Sequence, residues 1–417
     1  MAANALDSGG PVRVLHSFPH RLGMSRICTT AWHEIDSAAA AGAEIRVIAG
    51  DCVRPFVGSV SVEKTFVRGK LKLPYRLLGT RRMCILHDKI VAAKLPQLRD
   101  KIDVVHAWPL GALETFRVAK SLGIPTLLER PNAHTRFAYE AVRRECERLD
   151  LTIPAGHEHA FDRQVLEREE AEYAIASKLL CPSDFVVRTF CDRGFEPGRI
   201  ARHQYGCDEA VFHPEPGPRP ADRPFTVLFA GGCAPRKGLH FALGAWLQSA
   251  ASENGAFLIA GDFMPGYREK LSPMLSHKSV HELGFSRDIA GIMRRCDVFL
   301  LPSVEEGSAI VTHEARASGC VLLVSEATGA ICEHDRNALL HPVGDVQTLS
   351  RHLTLLEQNR DYLRNLREAS LESAYEVSWK CAGERLYRIY RDMLTGQAEE
   401  PSANGVAATV YTVSASR

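Results

Sequence analysis

The stretch PSVEEGSAIVTHEARASG, from 302 to 319, sets Glu306 and Glu314 eight positions apart, with Gly307 beside the first and an apolar run between them. Two carboxylates near a mostly apolar turn are costly to bury unless they are paired or hydrogen-bonded. Either they face water or they hold something. A carboxylate only accepts hydrogen bonds, so hydroxyls are its natural ligands. Upstream, FAGGCAPRKGL (229–239) supplies the complementary chemistry. Gly231 and Gly232 admit close approach of the backbone, Arg236 and Lys237 bring fixed positive charge, and Gly238 allows an open turn before a helix. That is a fair phosphate cradle, although it is not the G-x-x-x-x-G-K-[ST] loop. The plainer readings are a solvated turn with two surface cations and, for Glu314, a solvated helix position. Phosphate contacts and polyol contacts together describe a nucleotide sugar.

These residues need elements to position them. VRVLHS (12–17), EIRVIAG (44–50), DVVHAW (103–108), PTLLERP (125–131) and KLLCPS (178–183) are short apolar runs separated by helix-like segments, the first of them TTAWHEIDSAAAAG. Such alternation predicts a parallel sheet covered on both faces. FHPEPGPRPADRP (212–224) holds five prolines and predicts a linker. The alternation restarts with FTVLFAGG (225–232), AFLIAG (256–261), SVHELG (279–284), DVFLLPS (297–303) and CVLLVS (320–325). The fold class expected is therefore α/β, with two doubly wound Rossmann-like domains facing across a cleft. The boundaries expected are a disordered leader over 1–10, a first domain over 11–211, the linker over 212–224 and a second domain over 225–375. A helix over 376–396, crossing back to the first domain, and a disordered tail over 397–417 complete the chain. In open α/β sheets ligands bind beyond the carboxyl ends of the strands, which is where the Arg236–Lys237 and Glu306 loops fall. Ser308 is the expected N-cap of the helix that carries Glu314, and Gly319 its stop.

The bulk numbers exclude several classes. A chain of 417 residues is too long for one ordinary core. A formal net charge of +1 gives no general basis for nucleic-acid binding. The twelve cysteines are scattered, with no C-x-x-C pair, as expected of free thiols in a reducing compartment. The opening residues lack the pattern of a signal peptide, and no apolar run is long enough to span a membrane. The expected location is cytoplasmic.

Several segments, in order and at plausible spacing, resemble the retaining GT-B glycosyltransferases of family 4, the group 1 glycosyl transferases. Glu306-Gly307 with Glu314 resembles the family's E-x7-E motif. ERPNAHTRF resembles its His-bearing loop, PSDFVVRTF and YGCDEAVFHP its segments ahead of the linker, FAGGCAPRKGL its G-x…KG loop, and ELGFSRDIAGIMRRCDVFLLPSVEEG its run into the first Glu. The resemblance implies transfer of a sugar from a nucleotide-diphosphate sugar to a hydroxyl acceptor, with retained anomeric configuration and no metal or other cofactor. It implies that Arg236 and Lys237 hold the diphosphate and that Glu314 binds the ribose diol. Glu306 touches the transferred sugar, helped by the N–H groups of Gly307 and Ser308. Gly284, Phe285 and Ser286 frame the base, Gly23 lines the phosphates from the first domain, and His134 sits near the sugar, with His134 and Glu306 in the catalytic roles. The acceptor class implied is a growing polysaccharide, a glycolipid or a small molecule. The chain departs from the family pattern at Gly232, where many relatives carry Arg, at Gly307-Ser308-Ala309, and in having Gly23 alone where two glycines are usual.

Rival readings are a non-catalytic nucleotide-sugar-binding or scaffold protein on the same fold, and a nucleotide-sugar epimerase, which would need acid/base carboxylates and no acceptor site. His157 and His159 in GHEHAF are two apart and are read as a solvated helix start rather than metal ligands. His106 follows a strand; a packing histidine is the commoner reading and a cleft-facing one the alternative. Residues 64–94 hold nine Lys or Arg against one acid, Asp88, which suits peripheral contact with an anionic membrane, a solvated face or an acceptor-binding loop.

Overall fold

A computed structural model describes residues 10–69, 71–72, 79–217 and 223–396. The expected leader, part of the proline-rich linker, part of the basic segment and the tail lie outside the described residues. Two parallel sheets organise the chain. The first has seven strands, in the spatial order Ser61–Lys64, Glu44–Cys52, Arg13–Leu22, Val104–Ala107, Thr126–Glu129, Lys178–Cys181, Ile200–Arg202. The second has six, in the order Val280–Gly284, Ala256–Ala260, Thr226–Ala230, Val298–Leu301, Val321–Ser325, Ala338–His341. In both, the first strand of the unit lies inside and the order reverses beside it, which makes a crevice at the carboxyl ends. Central strands such as Val104–Ala107 and Val298–Leu301 are buried along their whole length, because helices cover both faces.

The two-domain α/β reading of the sequence holds. Three strands of these two sheets escaped it: Ser61–Lys64, fully exposed along its length, the three-residue Ile200–Arg202, and Ala338–His341. The final helix, Trp379–Thr395, packs on Ile27–Ala40 over one face of the first sheet. The helix Thr135–Arg148 starts beside the first sheet yet sends Val142 and Cys146 into the apolar core of the second. The His240 Nε2 to Glu145 Oε1 contact at 2.9 Å joins the same surfaces.

All twelve cysteines are free thiols. No helix among the described residues is long and apolar enough to cross a membrane. Part of the positive charge of 64–94 is spent within the protein: Lys64 pairs with Asp51 at 3.0 Å, Arg81 with Asp162 at 2.9 Å, and Lys94 with Glu63.

Candidate functional site

The strand Val298–Leu301 runs out into the buried loop 302–309, and the helix Ile310–Ala317 follows. The helix begins one residue later than the sequence suggested. Ala309 takes the N-cap position without a side-chain bond, because the Ser308 hydroxyl turns to His313 Nε2 at 3.4 Å. The helix is anchored by the fully buried Arg316, which donates to the Ile331 carbonyl at 2.7 Å and the Ser373 carbonyl at 3.0 Å, and pairs with Glu376 at 2.9 Å. With that anchor, the orientation of Glu314 on the same helix is set by packing rather than by the loop.

The loop after Thr226–Ala230 lies directly against the 302–306 turn. Val304 N–H donates to the Arg236 carbonyl at 2.8 Å. Gly238 has φ +72, and a Cβ there would sit 2.0 Å from the Pro302 carbonyl oxygen, so only glycine permits this contact. Two buried carboxylates meet two partly buried cations as a result. Arg236 Nη1 lies 3.0 Å from Glu306 Oε2 and 3.2 Å from Glu305 Oε2, and Lys237 pairs with the other Glu306 oxygen. The Ser303 hydroxyl also lies 3.5 Å from Glu306 Oε1. Burial pulls the Lys237 ammonium below its ordinary range against the raising effect of Glu306. Burial also opposes the charge on Arg236, and the carboxylates of Glu306, Glu305 and Glu158 outweigh it.

The first domain reaches this cluster at three points. Ala133 N–H donates to Glu305 Oε1 at 3.3 Å. His159 Nε2 lies 3.3 Å from Glu305 Oε2. The Ser183 hydroxyl donates to the Gly307 carbonyl at 2.5 Å. Gly307 meets Pro131 so closely that a Cβ would stand 1.6 Å from its carbonyl oxygen. Burial by itself would raise the Glu305 carboxyl; the bond to His159 and the charge of Arg236 reverse that and hold it down at about 2. Glu305 was not singled out in the sequence, and His159 was read there only as part of a solvated helix start. The signal available was the doubled acid in PSVEEG. GHEHAF, expected to start a helix in solvent, is instead a turn; the helix begins at Arg163 and His159 is buried.

Glu314 stands apart from this ion-pair cluster. No hydrogen bond or ion pair is made by its carboxylate among the described residues, and burial alone pushes it up to about 7. His134 is the N-cap of Thr135–Arg148, its Nδ1 accepting from Arg136 N–H at 3.2 Å. Its ring packs among Tyr173, Phe190 and Phe195, and burial, with the charges of Arg130, Arg193 and Arg136, lowers it to about 3. Gly23, φ +81, turns the chain after the first strand, with its N–H donating to the Cys28 carbonyl at 2.9 Å. Gly284 ends its strand at φ +63. Phe285, 73% exposed, and Ser286 line an open cavity of ≈ 710 Å³ with Leu283, Arg287 and Asp288. Arg236, Lys237, Glu306 and Glu314 do not line that cavity. The structure thus brings together Arg236, Lys237, Glu306, Gly307 and Ser308, and leaves Phe285 and Ser286 on a separate cavity wall.

The family model described as Glycosyl transferases group 1 matches residues 224–359, the segment that holds this cluster. Over 118 residues the chain is 27% identical to the N,N'-diacetylbacillosaminyl-diphospho-undecaprenol alpha-1,3-N-acetylgalactosaminyltransferase of Campylobacter jejuni, covering 28% of this chain and 31% of that protein. The chain spans 31%, 32% and 65% of the length of three curated relatives. Among solved structures, sucrose-phosphate synthase from Thermosynechococcus elongatus is similar with a TM-score of 0.66 at 16% identity, over 92% of this chain and all of that one (100%). Anabaena HepE in complex with UDP-glucose is similar with a TM-score of 0.60 at 16% identity, over 92% and 100% of the two chains. The fold is that of the two-domain GT-B glycosyltransferases.

Proposed function

We propose that this chain is a hexosyltransferase that moves a sugar from a nucleotide-diphosphate sugar to a hydroxyl acceptor, with retention of anomeric configuration and without a catalytic metal, as a family 4 enzyme. The observation that carries the reading is the pairing of two partly buried cations, Arg236 and Lys237, with Glu306, on the loop that leads into the helix carrying the unpartnered, partly buried carboxylate of Glu314. Cations suit a diphosphate, and carboxylates suit the hydroxyls of a sugar and a ribose.

The apo cluster is charge-balanced, and the donor exchanges its partners. Entering phosphates take Lys237 and Arg236 from Glu306. Glu306, released, accepts from hydroxyls of the transferred sugar, beside the N–H groups of Gly307 and Ser308. Glu314 accepts from the ribose diol. Gly23 and the loop around His134 close on the donor from the first domain, and Gly284, Phe285 and Ser286 form the base end.

As the glycosidic bond breaks, negative charge grows on the β-phosphate, where fixed cations in a water-poor cleft are worth most. The phosphate oxygen takes the acceptor's proton, and attack comes from the leaving-group face. The close seating of Gly307 against Pro131 and of Glu305 against His159 supports a reaction sequestered from water. The UDP-glucose bound to Anabaena HepE and the diphospho-undecaprenol acceptor in the name of the Campylobacter relative support a nucleotide-sugar donor and a carbohydrate or lipid-linked acceptor. Residues 64–94 are the surface for peripheral membrane contact, on the cytoplasmic side.

The test is a thermal-shift screen with UDP, GDP and ADP and their hexose conjugates, followed by product analysis with the donor that binds. A ligand at about 100 times its Kd adds roughly 2.7 kcal/mol, a readable shift. A shift with one nucleotide family, lost in Lys237→Ala and Glu314→Ala, is expected. A folded protein that responds to none of them would move the reading to a scaffold on the same fold. Inversion at the anomeric carbon of the product would refute retention.

A further inference from the structure

A second constellation lies inside the first domain, in the layer between its sheet and the helices Ile27–Ala40 and Trp379–Thr395. Inward-facing positions of that sheet run Val14-His16-Phe18, Val104-His106-Trp108, Leu127-Glu129 and Ala201-His203. The apolar members belong to one core, and four positions in its middle are ionisable. Ile27–Ala40 adds Glu34, and Trp379–Thr395 adds Tyr390. His16, His106 and Glu129 are 0% exposed, His203 1% and Glu34 3%.

Ionisable groups buried in this way are expected to satisfy one another. These do not. Both ring nitrogens of His16, both oxygens of Glu34, Nε2 of His106, Oε2 of Glu129 and Nε2 of His203 lack a partner in hydrogen-bond geometry among the described residues. The atoms are nonetheless close. His106 Nε2 lies 3.3 Å from Glu129 Oε2, His16 Nε2 lies 3.7 Å from Glu34 Oε2, and His203 Nε2 lies 3.1 Å from Glu129 Oε1. One donor atom from each of His16, Glu34 and His106 lies within 4.8 Å of the others, and the same holds for Glu34, Glu129 and His203. Ligands about 2.0–2.2 Å from a tetrahedral ion stand roughly 3.3–3.6 Å from one another, so the shorter spacings already suit one.

We propose that this cluster holds one divalent transition-metal ion of the Zn²⁺ class, ligated by His16 Nε2, His106 Nε2 and a Glu34 oxygen, with Glu129 Oε2, 3.3 Å from His106 Nε2, drawn in as the fourth donor. Two observations support it. Two carboxylates and neutral imidazoles carry two negative charges, which a divalent ion cancels. The outer partners that orient metal ligands are in place: the Tyr390 hydroxyl lies 2.8 Å from His106 Nδ1, and the Tyr205 hydroxyl donates to Glu129 Oε1 at 2.5 Å. Any proton held on the Glu34 or Glu129 carboxyl leaves as the ion binds, and no other bond changes.

The ligands come from two central strands, the end of a third, and the helix Ile27–Ala40, and Tyr390 ties in the helix that returns from the second domain. The role is structural: a closed site that fixes these helices on the sheet. None of the donor-binding residues belongs to it, so it is independent of the proposed reaction.

The test is metal analysis of the full chain, expressed with Zn²⁺ supplementation and dialysed exhaustively, together with the visible spectrum of protein refolded with Co²⁺. About one ion per chain and an intense tetrahedral Co²⁺ band are expected. The paired variant His16→Gln with His106→Gln should retain less than about a tenth of the metal, with UDP-induced thermal shifts still present. Metal-free wild-type protein of full stability would overturn the proposal, as would a variant that retains metal equally. Should the variant fail to fold, the wild-type metal content and Co²⁺ spectrum decide the matter alone.

Discussion

Glu305 and His159 meet at 3.3 Å from opposite domains, and the carboxylate is completely buried. The contact has a consequence for acid stability. Glu305 ionises at about 2 in the folded protein against an ordinary 4.5. A depressed carboxyl pKa stabilises the fold above the unfolded value, and that contribution is lost as pH falls from about 4.5 through about 2. The shift corresponds to roughly 3 kcal/mol, an order-of-magnitude figure. Glu305→Gln should therefore lower Tm at neutral pH and flatten the fall of Tm between pH 5 and 3. Parallel Tm–pH profiles for variant and wild type would show that the bond contributes nothing.

Glu314 has the opposite sign. Burial raises it from 4.5 to about 7 with no cation nearby to compensate. Ionising it in the folded protein costs stability as pH rises from about 4.5 through about 7. Glu314→Gln should therefore be more stable than wild type at pH 8 by ~1 kcal/mol or more, and indistinguishable near pH 4.5. The same carboxylate must be ionised to accept from both hydroxyls of a ribose. UDP affinity of the wild type should rise with pH through about 7, and the variant should bind weakly without that rise. A pH-independent wild-type Kd, measured by calorimetry, would refute the assignment.

The sequence made these two carboxylates legible to different degrees. Glu314 follows Glu306 at a fixed spacing on a strand–loop–helix, and the local pattern sufficed to find it. The strands beneath were equally plain, because central parallel strands are buried on both faces and read as apolar runs. Glu305 was hidden because its partners, Ala133 and His159, lie more than a hundred residues away in the other domain, and no local period records such a contact. The buried His16–Glu34–His106–Glu129 cluster was hidden for a related reason. Each member sits singly in an apolar strand or helix, and only sheet register brings them together: His16 and His106 are direct neighbours on paired strands. The exposed strand Ser61–Lys64 lacked the alternation that a half-buried strand displays.

Gly307 tests whether the approach of the two domains matters. A Cβ there would stand 1.6 Å from the Pro131 carbonyl oxygen, a backbone atom that cannot swing aside. Gly307→Ala should push the loop 131–134 away from the donor loop. The cations at 236 and 237 remain, so UDP should bind within about fivefold of wild type, less than the tenfold that 1.4 kcal/mol represents. Sugar transfer should fall at least about a hundredfold, since small misplacements of positioning groups cost that much. Unchanged transfer would mean that this contact opens during the reaction.

Lys237 and Glu306 make the sharpest test, because the proposed partner exchange assigns them opposite effects on the same ligand. In the free protein Glu306 neutralises Lys237 and lies 3.0 Å from Arg236. UDP must displace that carboxylate to reach the cations, yet UDP carries no transferred sugar for the carboxylate to hold. Lys237→Ala should weaken UDP by about 10–100-fold, the loss of a charge-assisted contact worth roughly 1.5–3 kcal/mol. Glu306→Gln should bind UDP as well as wild type or tighter, since its competitor for the cations is gone, while transfer falls by at least about a hundredfold. Calorimetry with UDP alone separates the two. If Glu306→Gln loses UDP affinity as steeply as Lys237→Ala, Glu306 is a scaffold for the lysine and not a ligand for the sugar.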